Sequence, residues 1–383
     1  MMCKSRSAAL ASTPASRRRS PSSSAAANTT AASSSSFATA STSSGPRHTA
    51  TTTASSSSSR SSRSSQAAAR ASLPSPPLLY PFQELAAATN GFLSKRDPSS
   101  AYWRCSLRGR DAALFQLRAL PGLTAKDASA ALARTAKYHH ASLAPLLGAC
   151  LAGPHVYLAY QIPSGAATLA ACLQSRGGSS SSKDTSLNPI LGAWLSRVQV
   201  AADVAQGLDY VHTHANAAHG RVSPSTVLLV PDPALHATLT HFGASQFAQA
   251  DDADTAAAAQ SDDLRAFGVL LLQLLSGEAE ASRHRFDRAT KEFAQVSVLD
   301  TAAEALRTGR VRSWVDRRLG DSFPVSAAER LVEIALRCAS PGDDGAPEMA
   351  WVAGKVSKVY VESRAWEHQL QRSDGFSVSV APR

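Results

Sequence analysis

From Met1 to Ser75 the chain is mostly Ser, Ala and Thr, with runs such as Ser33 to Ser36 and Ser55 to Ser59. Such a stretch lacks the periodic apolar residues that offset the entropy lost on ordering, so it is expected to be a disordered tail. Any core must come from the residues beyond Ser75. Pro74, Pro76 and Pro77 mark the junction, because each removes a backbone donor and pushes the residue before it toward extended structure.

The net charge of +10 suggests nucleic acid until its location is read. No acidic residue precedes Glu84, whereas Lys4, Arg6, Arg17, Arg18, Arg19, Arg47, Arg60, Arg63 and Arg70 supply nine positive charges and leave about +1 for the rest. The folded part therefore carries no charge argument for DNA or RNA. Five cysteines, at 3, 105, 150, 172 and 338, are odd in number and lack the short spacings of zinc or redox motifs, which fits reduced thiols. The longest apolar run, Val269 to Leu275, is interrupted by Gln273 and falls far short of a membrane span.

Beyond the junction, Phe82, Leu85, Ala88 and Phe92 recur at helical spacing, which predicts a helix over Pro81 to Phe92 ending near Gly91. Apolar runs predict strands at Ala101 to Leu107, Asp111 to Leu117, Leu146 to Cys150 and Val156 to Tyr160, with a helix at Ala125 to Ala136 after the second. Val198, Ala201, Ala205, Leu208 and Val211 share one helix face, and Asp263 to Gly277 suits a helix buried on all sides. Ser326 and Glu329 have the spacing of a capping box opening a helix Arg330 to Ala339, and Met349 to Leu370 suits a last long helix.

Several segments carry a resemblance. Phe82 to Phe92 resembles the F-x-x-E-L-x-x-A-T-N-x-F lead-in of plant receptor-like serine/threonine kinases, and His139 to Cys150 resembles their H-H-x-N-L-V-x-L-L-G-x-C. His219 to Leu229 stands where such a kinase writes H-R-D-x-K-P-x-N-x-L-L, and His241-Phe242-Gly243 where it writes D-F-G. Asp263 to Gly277 resembles the D-V-Y-x-F-G-V helix, and Trp314 to Leu319 a W-V-D-P-x-L segment. The resemblance implies an α+β, two-lobed protein-kinase-like fold. Its expected organisation is a basic tail over 1–78, an N-lobe over 79–163, a C-lobe over 164–362 with a mobile insertion at 176–187, and a C-terminal tail over 363–383.

The same resemblance locates what phosphoryl transfer needs, and the required residues are replaced. No glycine occurs between Leu93 and Arg108 to cradle phosphate, and Asp97 stands in that place. The strand lysine position falls on Phe115, or on Gln116 if the register slips by one, and its glutamate partner on Ala131. Arg221 replaces the base, Thr226 and His241 replace the two magnesium ligands, and Ser223 replaces the loop lysine. The stretch from Gly243 to Asp263 is short for an activation loop, and Ala346 stands for the arginine that would pair with that loop's closing glutamate. Positions with packing roles survive: His219, Phe242 and Gly243, Asp263 for the catalytic-loop backbone, and a vestigial adenine pocket of Ala113, Tyr160 and Leu228. His139 with His140, and His241 with His219, are weighed as metal ligands and set aside.

The expectation is a catalytically inactive pseudokinase acting as scaffold or allosteric partner of other protein kinases or receptor kinases, with no cofactor and no nucleic acid. The alternatives are an atypical ATP-dependent kinase, or weak ATP binding without transfer. The setting is cytoplasmic, with peripheral membrane contact if Cys3 beside Lys4 is palmitoylated while Arg17 to Arg19 meet anionic lipid, or plastid or mitochondrial if the tail is a transit peptide. Met2 excludes N-myristoylation, and Ser20 after Arg17 to Arg19 is either a phosphorylation site or part of a solvated basic run.

Overall fold

The computed structural model describes residues 76–93, 102–174, 190–231, 234–249, 260–286, 291, 293–320, 322–340 and 345–374. All but the last three residues of the expected tail, the 176–187 insertion, Asp97 and most of the short activation stretch lie outside them. Chain contacts separate Met1–Ala68 from Ala69–Arg383, and the described residues all belong to the second unit.

A five-stranded sheet forms the first lobe, built from β1 (Leu78–Leu79), β2 (Tyr102–Leu107), β3 (Arg110–Arg118), β4 (Leu146–Ala152) and β5 (His155–Gln161) in the order β1-β4-β5-β3-β2. Strand β1, which begins inside the expected tail, pairs in parallel with β4, whereas the other neighbours are antiparallel. Alternation along β2 sends Trp103, Cys105 and Leu107 to one face and Tyr102 to the other. Helix α1 (Phe82–Ala88) covers the first face. It ends short of the expected Phe92 because Thr89 Oγ1 turns back to Leu85 O at 2.8 Å and Asn90, Gly91 and Phe92 all adopt positive φ. The Phe92 ring nevertheless returns to stack on Phe82, with centroids 5.5 Å apart.

Helix α2 (Ala125–Thr135) lies on the other face and opens with a true capping box between Thr124 and Asp127. At Ser326 the expected box does not form. Pro324 is the last extended residue and the helix starts at Val325, so Ser326 already sits in the first turn and makes no cap.

The second lobe is helical. After β6 (Ala167–Thr168) and α3 (Leu169–Gln174) come α4 (Trp194–Thr213), the β7 (Val227–Val230) and β8 (His236–Leu239) hairpin, and α5 (Gln260–Ser276). A β9–β10 hairpin (Ser282–Phe286, Phe293–Ser297) leads to α6 (Val298–Arg307), α7 (Val311–Trp314), α8 (Val325–Ala339) and α9 (Met349–Asp374). Helix α5 is buried from Asp263 onward except at Arg265, with Ala266, Val269 and Ser276 half-buried, so it is less enclosed than the expectation of burial on all sides. Gly268 lets α5 meet α8: a Cβ there would lie 2.5 Å from Ala335 O. Helix α9 packs on α4 and runs past the expected end at Leu370, so the boundary expected at 363 falls inside a continuous helix.

A buried charge ties the lobe together. Arg197 on α4, with no exposed side-chain surface, donates to Leu191 O (2.8 Å), Leu274 O (2.7 Å) and Asp316 Oδ2 (2.6 Å), and Asp316 also pairs with Arg318. Filling three carbonyl or carboxylate acceptors with one guanidinium offsets the desolvation of that charge.

Candidate functional site

The loop from His219 to Thr226 joins α4 to β7 and is anchored from α5. The buried Asp263 carboxylate accepts from His219 N (2.6 Å), Gly220 N (2.7 Å) and His212 Nε2 (2.9 Å), which fixes the loop backbone. Within the loop, Thr226 Oγ1 lies 2.8 Å from Arg221 O and 2.9 Å from Ser223 O, and accepts from Ser223 N at 3.0 Å. The hydroxyl closes its own turn, which leaves it turned inward. Arg221 N donates to His219 Nδ1, and its guanidinium reaches across to Gln249 O.

His241 occupies the left-handed region at φ 70°, with Nδ1 2.8 Å from Thr240 Oγ1. Its ring meets Phe115 edge-on at 4.4 Å and stacks near Tyr160 at 5.6 Å. Burial, with the nearby His219 and Arg221, pushes its pKa down to about 3, so a neutral ring stands here. Burial likewise lowers the pKa of His219. A neutral imidazole packed between aromatic rings offers nothing that a hard cation prefers. Among the described residues, no group of three or more His, Cys, Asp or Glu side chains is placed to hold a metal ion.

Phe115 and Ala131, the positions that the resemblance assigns to an ion pair, are both apolar and buried. Phe115 and Ala131 belong to one buried cluster, which also takes in Ala113, Tyr160 and Leu228. Tyr102 fills that cluster from β2, its ring 5.3 Å from Phe115. Arg104, two residues on, donates to Ala166 O between the lobes. Tyr160 Oη lies 3.4 Å from Phe242 O, and burial raises its pKa. The residues expected to grip adenine are therefore packed on protein groups.

The stretch after Gly243 is clamped as well. Gln249 N donates to Arg118 O (3.0 Å), Leu120 N to Phe247 O (2.9 Å), and Ala119 and Ala248 form an antiparallel bridge. Gln246 ties the same stretch to α2, with Nε2 on Thr135 Oγ1 (3.2 Å) and Oε1 accepting from Arg134 (2.8 Å). Gly243 must be glycine: at φ 81°, a Cβ would lie 2.6 Å from Thr135 Oγ1. Outside this packing remains an open cleft of about 410 Å³ lined by Phe115, Gln116, Arg221, Ser223, Thr226 and His241, among others. Asp262 and Asp263 also line it, and Ala113, Tyr160 and Leu228 do not.

No protein-family model matches the chain. Among curated proteins it is 26% identical over 309 residues to a putative leucine-rich repeat receptor-like serine/threonine-protein kinase of Arabidopsis thaliana, covering 74% of this chain and 33% of that protein. It is 24% identical over 310 residues to chitin elicitor receptor kinase 1 of the same plant, covering 75% and 47%. The chain thus spans less than half the length of these relatives. Of solved structures, the pseudokinase domain of BIR2, an immune regulator of the RLK/Pelle family, superposes with a TM-score of 0.58 at 22% identity over 79% of this chain and 93% of that one. The chain is a kinase-like relative of the plant receptor-like kinases.

In this kinase-like chain, one region gathers nearly every residue singled out from the sequence. Phe115, Ala131, Ala113, Tyr160 and Leu228 share the packed cluster, while Arg221, Thr226 and His241 line the cleft beside it. His219 is buried behind the cleft and Asp263 lines it, the two joined through the loop backbone. Phe242 is buried, its ring edge-on to Tyr138 at 5.9 Å. His139 and His140 sit elsewhere; the His140 ring stacks on Tyr210. Sequence reasoning missed Tyr102, Arg104, His212 and Gln246. Tyr102 had a signal, since an inward position on a strand opposite Phe115 calls for a partner of some kind. The long-range partners of Gln246 and His212 had none.

Proposed function

We propose that the chain is a catalytically inactive pseudokinase that serves as a scaffold or allosteric partner in plant receptor-kinase signalling. It rests on one observation: the groups at the base, lysine and metal positions are all committed to the protein itself. Arg221 is bound to Gln249, Thr226 to its own loop, and His241 and Phe115 to each other and to Tyr160. Phosphoryl transfer is positioning plus charge stabilisation, so these substitutions remove different parts of one mechanism at once. The partners are other protein kinases or receptor kinases, by analogy with BIR2, whose structure is described as that of an immune regulator. The setting is cytoplasmic.

The test is differential scanning fluorimetry of the full chain with ATP and Mg²⁺ or Mn²⁺, beside a radiolabelled phosphate-transfer assay. A ligand stabilises only what it binds, so no change in Tm and no transfer is the expected result. A rise of several degrees without transfer identifies ATP as a structural ligand and sinks the closed-site reading. Transfer of label restores the competing view of an atypical kinase.

A further inference from the structure

Away from the cleft, helices α8 and α9 enclose a groove of about 350 Å³. Its floor is apolar, with Ile334 and Val359 buried. Trp351 stands on one wall with 37% of its surface exposed, although an indole of this size is ordinarily buried or partnered. Two cations converge on that ring: the Arg337 guanidinium carbon lies 4.8 Å from its centroid and Lys355 Nζ lies 5.5 Å away. Both are cation–π distances.

The charge around the ring is not balanced. Arg330 and Lys358 share Glu362, at 2.6 Å and 4.0 Å. Glu333 lines the groove but forms no ion pair with Arg337 or Lys355 among the described residues. The six charged side chains thus sum to +2: one charge is left on Arg330 and Lys358 after Glu362, and one on Arg337 and Lys355 after Glu333.

We propose that this groove binds a phosphorylated Ser or Thr in an extended peptide of a protein partner, with the phosphate between Arg337 and Lys355 and a flanking side chain against Trp351. A phosphate carries about −1.5 to −2 charge with three acceptor oxygens on one small centre, which matches two convergent unpaired cations. A run of separate carboxylates spreads its charge along the peptide and cannot place two on one ring. An exposed aromatic beside the cations supplies the apolar contact that bare electrostatics lacks, as in other sites that read phosphorylated or acidic motifs with Arg clusters. Phosphopeptide capture here is independent of whether the nucleotide cleft is closed.

The test is fluorescence polarisation of the full chain against degenerate peptide pools centred on phosphoserine or phosphothreonine. The same pools with Ser/Thr or Glu at the centre, and vesicles containing anionic lipid, serve as comparisons. Binding of phosphorylated pools, weakened at least tenfold in both R337A/K355A and W351A while each variant keeps the wild-type Tm, is the expected result. No binding of any phosphorylated pool overturns the proposal, as does binding that the variants leave unchanged. Equal binding of the Glu pools replaces it with a general acidic-peptide site, and vesicle binding lost in the same variants replaces it with a lipid site.

Discussion

Asp263 shows how far the fold depends on one buried carboxylate. Its carboxylate is 1% exposed and accepts from His219 N, Gly220 N and His212 Nε2. Asp263→Ala leaves the buried His219 N–H without an acceptor, at about 1–3 kcal/mol, frees the Gly220 N–H at an exposed residue where water can replace the carboxylate, and strips His212 of its partner. The release of one buried charge offsets part of this, so the net loss expected is about 3–5 kcal/mol, the range for breaking a buried charged pair from one side. At about 2 °C per kcal/mol in a domain of this size, Tm falls by about 6–10 °C. Urea unfolding followed by circular dichroism measures it directly, with the exposed Asp262→Ala as a control expected to stay within about 1 kcal/mol. A loss below about 1 kcal/mol for Asp263→Ala would falsify the view that this carboxylate holds the loop.

Three further outcomes follow from the same packing. His241 has a folded pKa near 3 against an ordinary 6.5, so between those values the unfolded chain takes up a proton that the native state refuses. Stability therefore falls as pH drops from 6.5 toward 3, by up to about 1.4 kcal/mol per pH unit from this group, and is complete above 6.5. His219, also lowered, acts in the same direction. His241→Asn, which tolerates positive φ, flattens part of the slope in urea titrations at several pH values; an unchanged slope refutes the assignment. Phe115→Lys, which places a lysine where the resemblance expects one, buries an ammonium beside Tyr102 and Tyr160 with no carboxylate at Ala131 to pair it, and loses about 3–5 kcal/mol without gaining ATP binding. A nucleotide-dependent rise in Tm of that variant contradicts the expectation. Gly243→Ala destabilises by about 2 kcal/mol through positive φ and the approach to Thr135, read from chemical denaturation, and a neutral result means α2 gives way easily.

The sequence alone determined which segments fold and how they are patterned. The strands at 102–118 and 146–161, helices α2 and α4, and the gathering of Phe115, Arg221, Thr226 and His241 around one site were legible. Local period and motif spacing carry that information along the chain. Element ends were less legible, because Thr89 and Pro324 settle them through a single hydroxyl or a single dihedral.

Tertiary structure alone decided what surrounds the substituted positions. That Tyr102 fills the cluster with Phe115, that Arg221 reaches Gln249, and that Gln246 spans to Arg134 and Thr135 are contacts between residues up to 112 positions apart. The pair Arg337 and Lys355 likewise exists only because α8 and α9 lie side by side. A sequence lists which groups are missing, but whether the vacated space is open or filled depends on side chains that meet only when the chain has folded.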